Sequence, residues 1–127
     1  MHTSLRYGLV VTERTSAARQ TQWLRGVLDL VVLALLAEDG EGYGYTLLQR
    51  LDEAGLPDMK AGTLYPLLNR LAADGLLQAE WRAGESGPGR KFFSLTDQGR
   101  AALAEMGPKW IEFARNSITV VQRGVRK

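Results

Sequence analysis

The chain has 127 residues, of which 45% are hydrophobic and 24% charged, and this ordinary globular balance fits one domain with a real hydrophobic core. It contains no cysteine, which excludes disulfides, thiolate metal sites and thiol catalysis. The formal net charge is only +2, so bulk charge is weak support for a polyanionic partner.

The distribution of charge says more than its sum. Residues 38–58 are acidic and hold a single arginine. Basic residues gather elsewhere, at Arg82, Arg90 and Lys91 and again in residues 115–127. Because a protein that binds a polyanion needs only one basic face, these clusters are candidates for phosphate contact.

The N-terminal residues 1–20 are mixed and polar, and we expect a flexible arm or a short helix there. Ser16 would cap such a helix over residues 17–23. The start lacks the pattern of a signal peptide, and the longest apolar stretch, residues 27–37, is shorter than the ~20 residues of a membrane span. We therefore expect a cytoplasmic protein with no membrane partner.

Residues 23–38 predict one helix with almost no polar face, which Trp23 would begin as a buried residue. A helix of this kind packs against its own domain and against something further, such as a second subunit. The glycine-rich acidic residues 38–42 predict a turn, and residues 43–54 predict a second helix that Gly55 ends.

Residues 61–74 predict a third helix, because four leucines lie at helical spacing. Its opposite face carries small or polar residues: Gly62, Pro66, Asn69, Arg70 and Ala73. Residues 76–82 and 90–95 alternate with period two around a glycine-rich loop, which predicts a hairpin with Trp81 on its inward side.

Thr96 is expected to cap a final helix that runs to about residue 122. Its apolar residues follow a heptad-like seam: Leu103, Met106, Trp110, Phe113 and Val120. Gly107 and Pro108 interrupt this pattern and predict a kink or a new helix start.

Three helices, a hairpin and a long helix predict a mainly α winged helix-turn-helix with a two-stranded wing and a long C-terminal dimerisation helix. We divide the chain into an N-terminal arm (1–20), a DNA-binding domain (21–96) and a dimerisation helix (97–127). A helix in the major groove needs short residues so that its backbone can approach, and the third helix has such a face.

Several short segments occur together, in a specific order and spacing. They are Leu24-Arg25-Gly26, Tyr43-Gly44-Tyr45, the run from Gly62 to Leu71, Asp74-Gly75-Leu76-Leu77, the run from Gly89 to Thr96, and Gly99. With this set the chain resembles the PadR-like transcriptional regulators over about residues 24–110. Its short C-terminal part is similar to the subgroup with a single C-terminal helix.

The resemblance implies a homodimeric repressor that binds inverted-repeat operators in double-stranded DNA, with the last helix forming much of the dimer interface. Many members release DNA when a small aromatic or drug-like effector binds, and some hold planar effectors between tryptophans of the last helix. Trp110 matches that tryptophan, and with Met106 and Phe113 it forms the expected effector site. The alternative is that Trp110 is ordinary dimer core.

The residues expected to contact DNA lie in the third helix, at the starts of the second and third helices, and in the wing. They are Tyr43, Lys60, Thr63, Tyr65, Asn69, Arg70, Arg90 and Lys91. Of Tyr43 and Tyr45, one is expected at phosphate and the other in the core. The alternative for the whole set is a solvated helix face and a solvated turn.

The chain departs from the family at Lys60, where members often have a serine that caps the third helix. The cap is then either lost or taken over by Asp58, and Lys60 becomes available for phosphate contact.

An enzyme is not expected, because the only histidine is His2 and neither metal-ligand spacing nor a nucleotide loop is present. We likewise expect no cofactor and no metal. The alternative function is a winged-helix module that binds protein without DNA specificity. Salt separates the two, because DNA binding weakens steeply as salt rises.

Overall fold

The computed structural model describes residues 12–84 and 87–127. In chain order they form α1 (Thr12–Arg25), α2 (Leu28–Asp39), α3 (Gly44–Glu53), α4 (Ala61–Ala73), β1 (Leu77–Arg82), β2 (Arg90–Leu95) and α5 (Asp97–Val125). The two strands pair antiparallel, with Leu77 opposite Leu95 and Arg82 opposite Arg90, and this hairpin is the wing. The architecture is the mainly α winged helix-turn-helix with a long C-terminal helix that the sequence predicts.

The prediction of one helix over residues 23–38 is wrong, because the chain breaks into α1 and α2 at Gly26 and Val27. The Gly26 N–H bonds back to carbonyl oxygens of α1, and Val27 leaves helical geometry with φ −131° and ψ 6°. Glycine is a poor helix former, so the break falls where the backbone is most easily bent. Ser16 lies inside α1 instead of capping a helix, and residues 1–11 of the expected arm lie outside the described residues.

The core lies between α2, α3, α4 and the wing. Helix α4 buries all four leucines of its stripe, which are Leu64, Leu67, Leu68 and Leu71. Helix α2 buries five residues, while its Leu30 and Val31 stay half-buried on the side of α5. Phe93 and Leu95 close the core from the wing. The hydrophobic periodicity of the sequence therefore sets which face of each helix is buried.

The length and apolar character of the helices decide whether one of them could span a membrane. No single helix within residues 12–84 and 87–127 is long and apolar enough to cross a bilayer. Two consecutive helical segments, Ser16–Arg25 and Leu28–Asp39, are long and apolar enough only when they are counted together, and they are bent by 64° relative to each other.

The two tryptophans expected to be buried are exposed instead. Trp23 is 65% exposed, because α1 is anchored to the core through its neighbour Leu24. Trp81 is 70% exposed, although it shares a strand face with the buried Leu77. Only the base of the hairpin reaches the core, so strand alternation does not carry burial out to Trp81.

Helix α5 begins at the cap that the sequence predicts. The Thr96 hydroxyl accepts a hydrogen bond from the Gly99 N–H at 3.0 Å and donates one to the Gly75 carbonyl at 2.6 Å. The alternative of a new helix start at Pro108 is wrong, since α5 runs through it without interruption. Ala104, whose carbonyl loses its usual N–H partner to proline, is exposed and can bond water instead.

Candidate nucleic-acid interface

Helix α4 presents an outward ridge of short side chains. Gly62, Pro66 and Ala73 are exposed and fall within about 40° of one another at the helical repeat of about 100° per residue. The buried leucines lie on the opposite side of the helix. A ridge without long side chains lets the helix backbone approach the floor of a groove.

The two flanks of this ridge differ. Tyr65 and Asn69 lie on one flank, and Thr63 and Arg70 lie on the other, about 130° apart around the helix. Each pair lines a separate depression. We call the first the wing cleft and the second the junction depression, because it lies where α1 meets α2.

The wing cleft has a volume of about 430 Å³ and lies between α4, the start of α3 and the wing. It is lined by Tyr43, Gly44, Tyr45, Tyr65, Asn69, Trp81, Gly89, Arg90, Lys91 and Phe93. Five of the eight residues predicted to contact DNA are in this set, namely Tyr43, Tyr65, Asn69, Arg90 and Lys91. The fold therefore brings together residues that are up to 48 positions apart in the chain.

The wing and α4 are joined by one direct hydrogen bond. The Lys91 ammonium donates to the Asn69 side-chain carbonyl at 2.9 Å. Arg90 lies over the Tyr43 ring, 5.0 Å from its centroid, and that ring packs edge-on against Phe92. Among the side chains of residues 16–84 and 87–127, no carboxylate pairs with Arg90 or Lys91. Both cations are thus positioned without being neutralised.

Arg82 belongs to the same basic cluster in the sequence but has a different role. It forms a bidentate pair with Glu41 at 2.7 and 2.8 Å and a further bond to Glu80 at 3.0 Å. Its hydrogen bond lowers the pKa of Glu41, and the two carboxylates in turn raise the pKa of Arg82. Arg82 therefore holds the loop end of β1 to the segment before α3, and its charge is compensated.

The start of α3 packs tightly against α4. Gly44 is buried beneath Tyr65, and a Cβ at this position would overlap the Tyr65 ring. Thr46 fixes the helix start, because its hydroxyl accepts from the Tyr43 N–H at 3.0 Å and donates to the Tyr43 carbonyl at 2.9 Å. The Tyr65 hydroxyl consequently lies beside the N-terminus of α3, the positive end of the helix dipole.

Three predicted contact residues lie outside the wing cleft. Thr63 and Arg70 line the junction depression, which has a volume of about 240 Å³. Lys60 is exposed at the N-cap of α4 and makes no side-chain hydrogen bond to the helix. The N-cap position thus leaves the first N–H groups of α4 without a side-chain acceptor.

Two exposed aromatic residues of the wing cleft, Tyr45 and Trp81, are not in the predicted set of DNA contacts. Tyr45 is 59% exposed, whereas Tyr43 is half-buried against Phe92. The sequence indicates this difference, because Tyr43 is at helical spacing from the core residues Leu47 and Leu51 and so lies on the buried face, whereas Tyr45 does not. Trp81 was missed because its strand face was taken to be inward.

The expected effector residues lie on α5, beside α2. Trp110 lines two depressions of about 180 and 300 Å³ there, both of which also include Val27 and Leu30. Met106 lines the larger one, and Phe113 lines neither. No three histidine, aspartate or glutamate side chains are placed to hold a metal ion anywhere in residues 12–84 and 87–127.

The groove-sized ridge, the basic wing and the helix-turn-helix core define a winged-helix DNA-binding protein. The family model described as "Transcriptional regulator PadR-like family" matches residues 32–105. The chain belongs to the PadR-like family, which consists of transcriptional regulators and not of enzymes, and the resemblance seen in its motifs is confirmed. Regulators of this family bind DNA and are typically dimers.

Individual relatives agree with this assignment. A transcriptional regulator of Mycobacterium tuberculosis is 44% identical over 79 residues, which is 62% of this chain and 72% of the relative. The crystal structure of a PadR family regulator from Eggerthella lenta matches with a TM-score of 0.75 and 33% identity, covering 88% of this chain and 96% of that one. A PadR-like regulator from Bacillus cereus matches with a TM-score of 0.69 and 32% identity, covering 80% and 97%.

Proposed function

We propose that the chain is a dimeric repressor that binds an inverted-repeat operator in double-stranded DNA. Each subunit places the ridge of α4 in a major groove while the wing contacts the adjoining phosphates. The observation that carries the proposal is the Lys91–Asn69 hydrogen bond of 2.9 Å, which fixes a basic wing against the exposed flank of α4. Family membership supports the same DNA-binding mode.

The proposed contacts fall into two groups: contacts to phosphates, which position the protein on DNA, and contacts to base edges, which recognise the sequence. Arg90, Lys91 and Lys60 are cations without a base-reading geometry of their own, so we assign them to phosphates. Asn69 lies on one flank of the ridge and has a side chain that can bond to base edges, whereas Arg70 on the other flank can bond to a base edge or to a phosphate. Tyr43, Tyr65 and Thr63 would donate hydroxyl protons to phosphate or sugar oxygens.

The exposed surface of α5 supports the proposed dimer. Large apolar side chains along its second half stand exposed in the single chain: Trp110, Ile111, Phe113, Ile118, Val120, Val121 and Val125. A contiguous apolar face of this kind is typical of a protein interface. A two-fold interface along α5 would also supply the symmetry that an inverted repeat requires.

Selection of bound fragments from randomised DNA tests DNA recognition directly. We expect a palindromic sequence with half-sites about one helical turn, or about 10 base pairs, apart from centre to centre. A transcription assay on a promoter with the selected sequence should then show less transcript as the protein is added. Transcript that rises instead would contradict the repressor role.

Salt dependence tests the wing. The double variant Arg90→Ala with Lys91→Ala should bind every sequence more weakly and show a smaller decrease in log K with log salt, by about 0.9 for each phosphate contact removed. The double variant Arg126→Ala with Lys127→Ala is the matched control, since it removes the same charge at the end of α5. Binding of protein partners without any salt slope would favour the protein-interaction alternative.

The effector site is a second part of the proposal. Trp110 and Met106 line apolar depressions between α2 and α5, and the partner subunit would close them if the dimer forms along α5. A planar aromatic effector bound there would contact both subunits and change the distance between the two wings. Phe113 is proposed to contact the effector from the partner's side.

Tryptophan fluorescence tests this site. The chain has three tryptophans, so replacement of the exposed Trp23 and Trp81 by phenylalanine leaves Trp110 as the sole emitter. Planar aromatic dyes should quench this emission, and the dye should lower the affinity for operator DNA. Dye binding that persists in Trp110→Ala, followed by the dye's own fluorescence, would contradict the effector site.

A further inference from the structure

We propose that Arg25, together with Arg70, forms a second phosphate contact on the flank of α4 that faces away from the wing. The inference rests on the proposed function, because it identifies which residues hold the duplex once α4 is in the groove. It assigns a DNA-binding role to the end of α1, which lies before the residues 32–105 that the family model matches.

The junction depression supplies the geometry. Arg25 is the last residue of α1, and the N–H of Gly26 bonds back to α1 so that the chain turns directly after it. Leu24 is buried and anchors this turn in the core. The turn places Arg25 beside Thr63 and Arg70 of α4, and all three residues line the same depression of about 240 Å³.

The charges of this depression are only partly compensated, because two guanidinium groups share it with a single carboxylate. Across the side chains of residues 16–84 and 87–127, neither Arg25 nor Arg70 has an ion-pair partner. The one carboxylate that lines the depression, Asp29, accepts the N–H of its neighbour Leu30 at 2.7 Å. Two guanidinium groups that share a depression repel each other, and an anion between them would remove this cost.

The position of the depression identifies the anion as a DNA phosphate. A helix in the major groove, which is about 12 Å wide, has a phosphate strand on either side. The wing cleft lies on one flank of the α4 ridge and the junction depression on the other. If Arg90 and Lys91 meet one strand, Arg25 and Arg70 face the opposite strand of the same groove.

This arrangement gives the two flanks a common function. Thr63 adds a hydroxyl donor to the two guanidinium groups, and DNA phosphates accept hydrogen bonds from both kinds of donor. Contacts on both strands fix the depth and the rotation of α4 in the groove, whereas a wing contact alone fixes only one side.

The test compares Arg25→Ala with Arg19→Ala on the selected operator. Arg19 is an exposed arginine of the same helix that does not line the depression, so the control removes an equal charge. We expect the salt slope to fall by about 0.9 in Arg25→Ala and to stay unchanged in Arg19→Ala. Arg25→Lys should restore the slope, and the thermal midpoint of all three variants should match that of the unaltered chain.

Phosphate ethylation interference locates the contact. In Arg25→Ala one interfering phosphate should be lost, and it should lie across the major groove from the phosphate that is lost in Arg90→Ala. If Arg25→Ala keeps the full slope and the full interference pattern while Arg90→Ala loses both, the inference is overturned and the proposed function stands. If the unaltered chain selects no DNA sequence at all, both are overturned.

Discussion

The winged-helix domain and the second half of α5 use the same apolar residue types in opposite ways. In the domain, Val32, Leu64 and Leu68 are fully buried within a single chain. In α5, all of whose residues the structure describes, Gly99 alone is buried, and Val125 at the far end is 79% exposed. The domain therefore completes its core by itself, whereas the apolar residues of α5 would be covered only in the proposed dimer.

Burial within one chain and burial between two chains stabilise a protein in different ways. Burial inside the chain stabilises the fold at any protein concentration, whereas burial between chains stabilises it only as far as the dimer is populated. The two regions should therefore respond differently to substitution and to dilution. The following experiments use that difference, beginning with the largest expected effect.

Leu68→Ala tests the domain side of the comparison. Leu68 is fully buried at the centre of the α4 stripe, so its truncation leaves a cavity and should lower the free energy of unfolding by about 2–5 kcal/mol. Urea unfolding followed by circular dichroism measures this loss, which should be the same at low and at high protein concentration. A loss that disappears on concentrating the protein would show that the domain core is not independent.

Ile118→Ser tests the α5 side. Ile118 is exposed in the single chain, so the variant should fold normally but lose about 1.5–3 kcal/mol of burial per chain in the dimer. The dimer dissociation constant, measured by analytical ultracentrifugation, should rise by roughly tenfold or more. Asn116→Ser is the control on the same helix. Equal dissociation constants for both variants would exclude this face as the interface.

Gly99→Ala tests the connection between the two regions. A Cβ at Gly99 would overlap the backbone carbonyl of Leu76, so the start of α5 must move away from the wing. We expect a loss of about 1–3 kcal/mol in the free energy of unfolding. Gly124→Ala is the matched control, because the space around Gly124 is open and alanine is the better helix former. A similar loss in both variants would mean that helix α5 as a whole, and not its attachment, is sensitive.

Most of the fold was predictable because periodicity and capping are local properties. The leucine stripe of α4 sets the rotation of that helix, and this rotation alone places Tyr65, Asn69 and Arg70 outside the core. The Thr96 cap follows from the same kind of local pattern.

The errors come from properties that are not local. Trp23 and Trp81 were expected inside because one begins a helix expected to be buried and the other is on the inward face of a strand, but their burial depends on whether another element covers them. The Lys91–Asn69 contact and the Arg82–Glu41 pair join residues 22 and 41 positions apart, and no short pattern indicates such pairings. The wing cleft could thus be anticipated as a set of residues, but its hydrogen bonds could not.

The smallest expected effect concerns the loop end of β1, where exposed charges and not apolar contacts join the wing to the segment before α3. Arg82 lowers the pKa of Glu41 below its ordinary value of 4.5. The ionised form of Glu41 is therefore more stable in the folded state than in the unfolded chain. This stabilisation is complete above the ordinary pKa and is lost as the pH falls through the lowered value. Because the pair is exposed, its contribution is screened by salt and water.

Glu41→Gln should therefore lower the thermal midpoint slightly at about pH 7, and this effect should shrink and disappear as the pH falls through the lowered pKa of Glu41. Glu53→Gln is the control, because within the described residues Glu53 has no ion-pair partner. If the thermal midpoints of Glu41→Gln and the unaltered chain still differ at low pH, the difference must come from packing. In that case Arg82 would hold the wing through its stacking on Phe92, 4.2 Å from the ring centroid, and not through its charge.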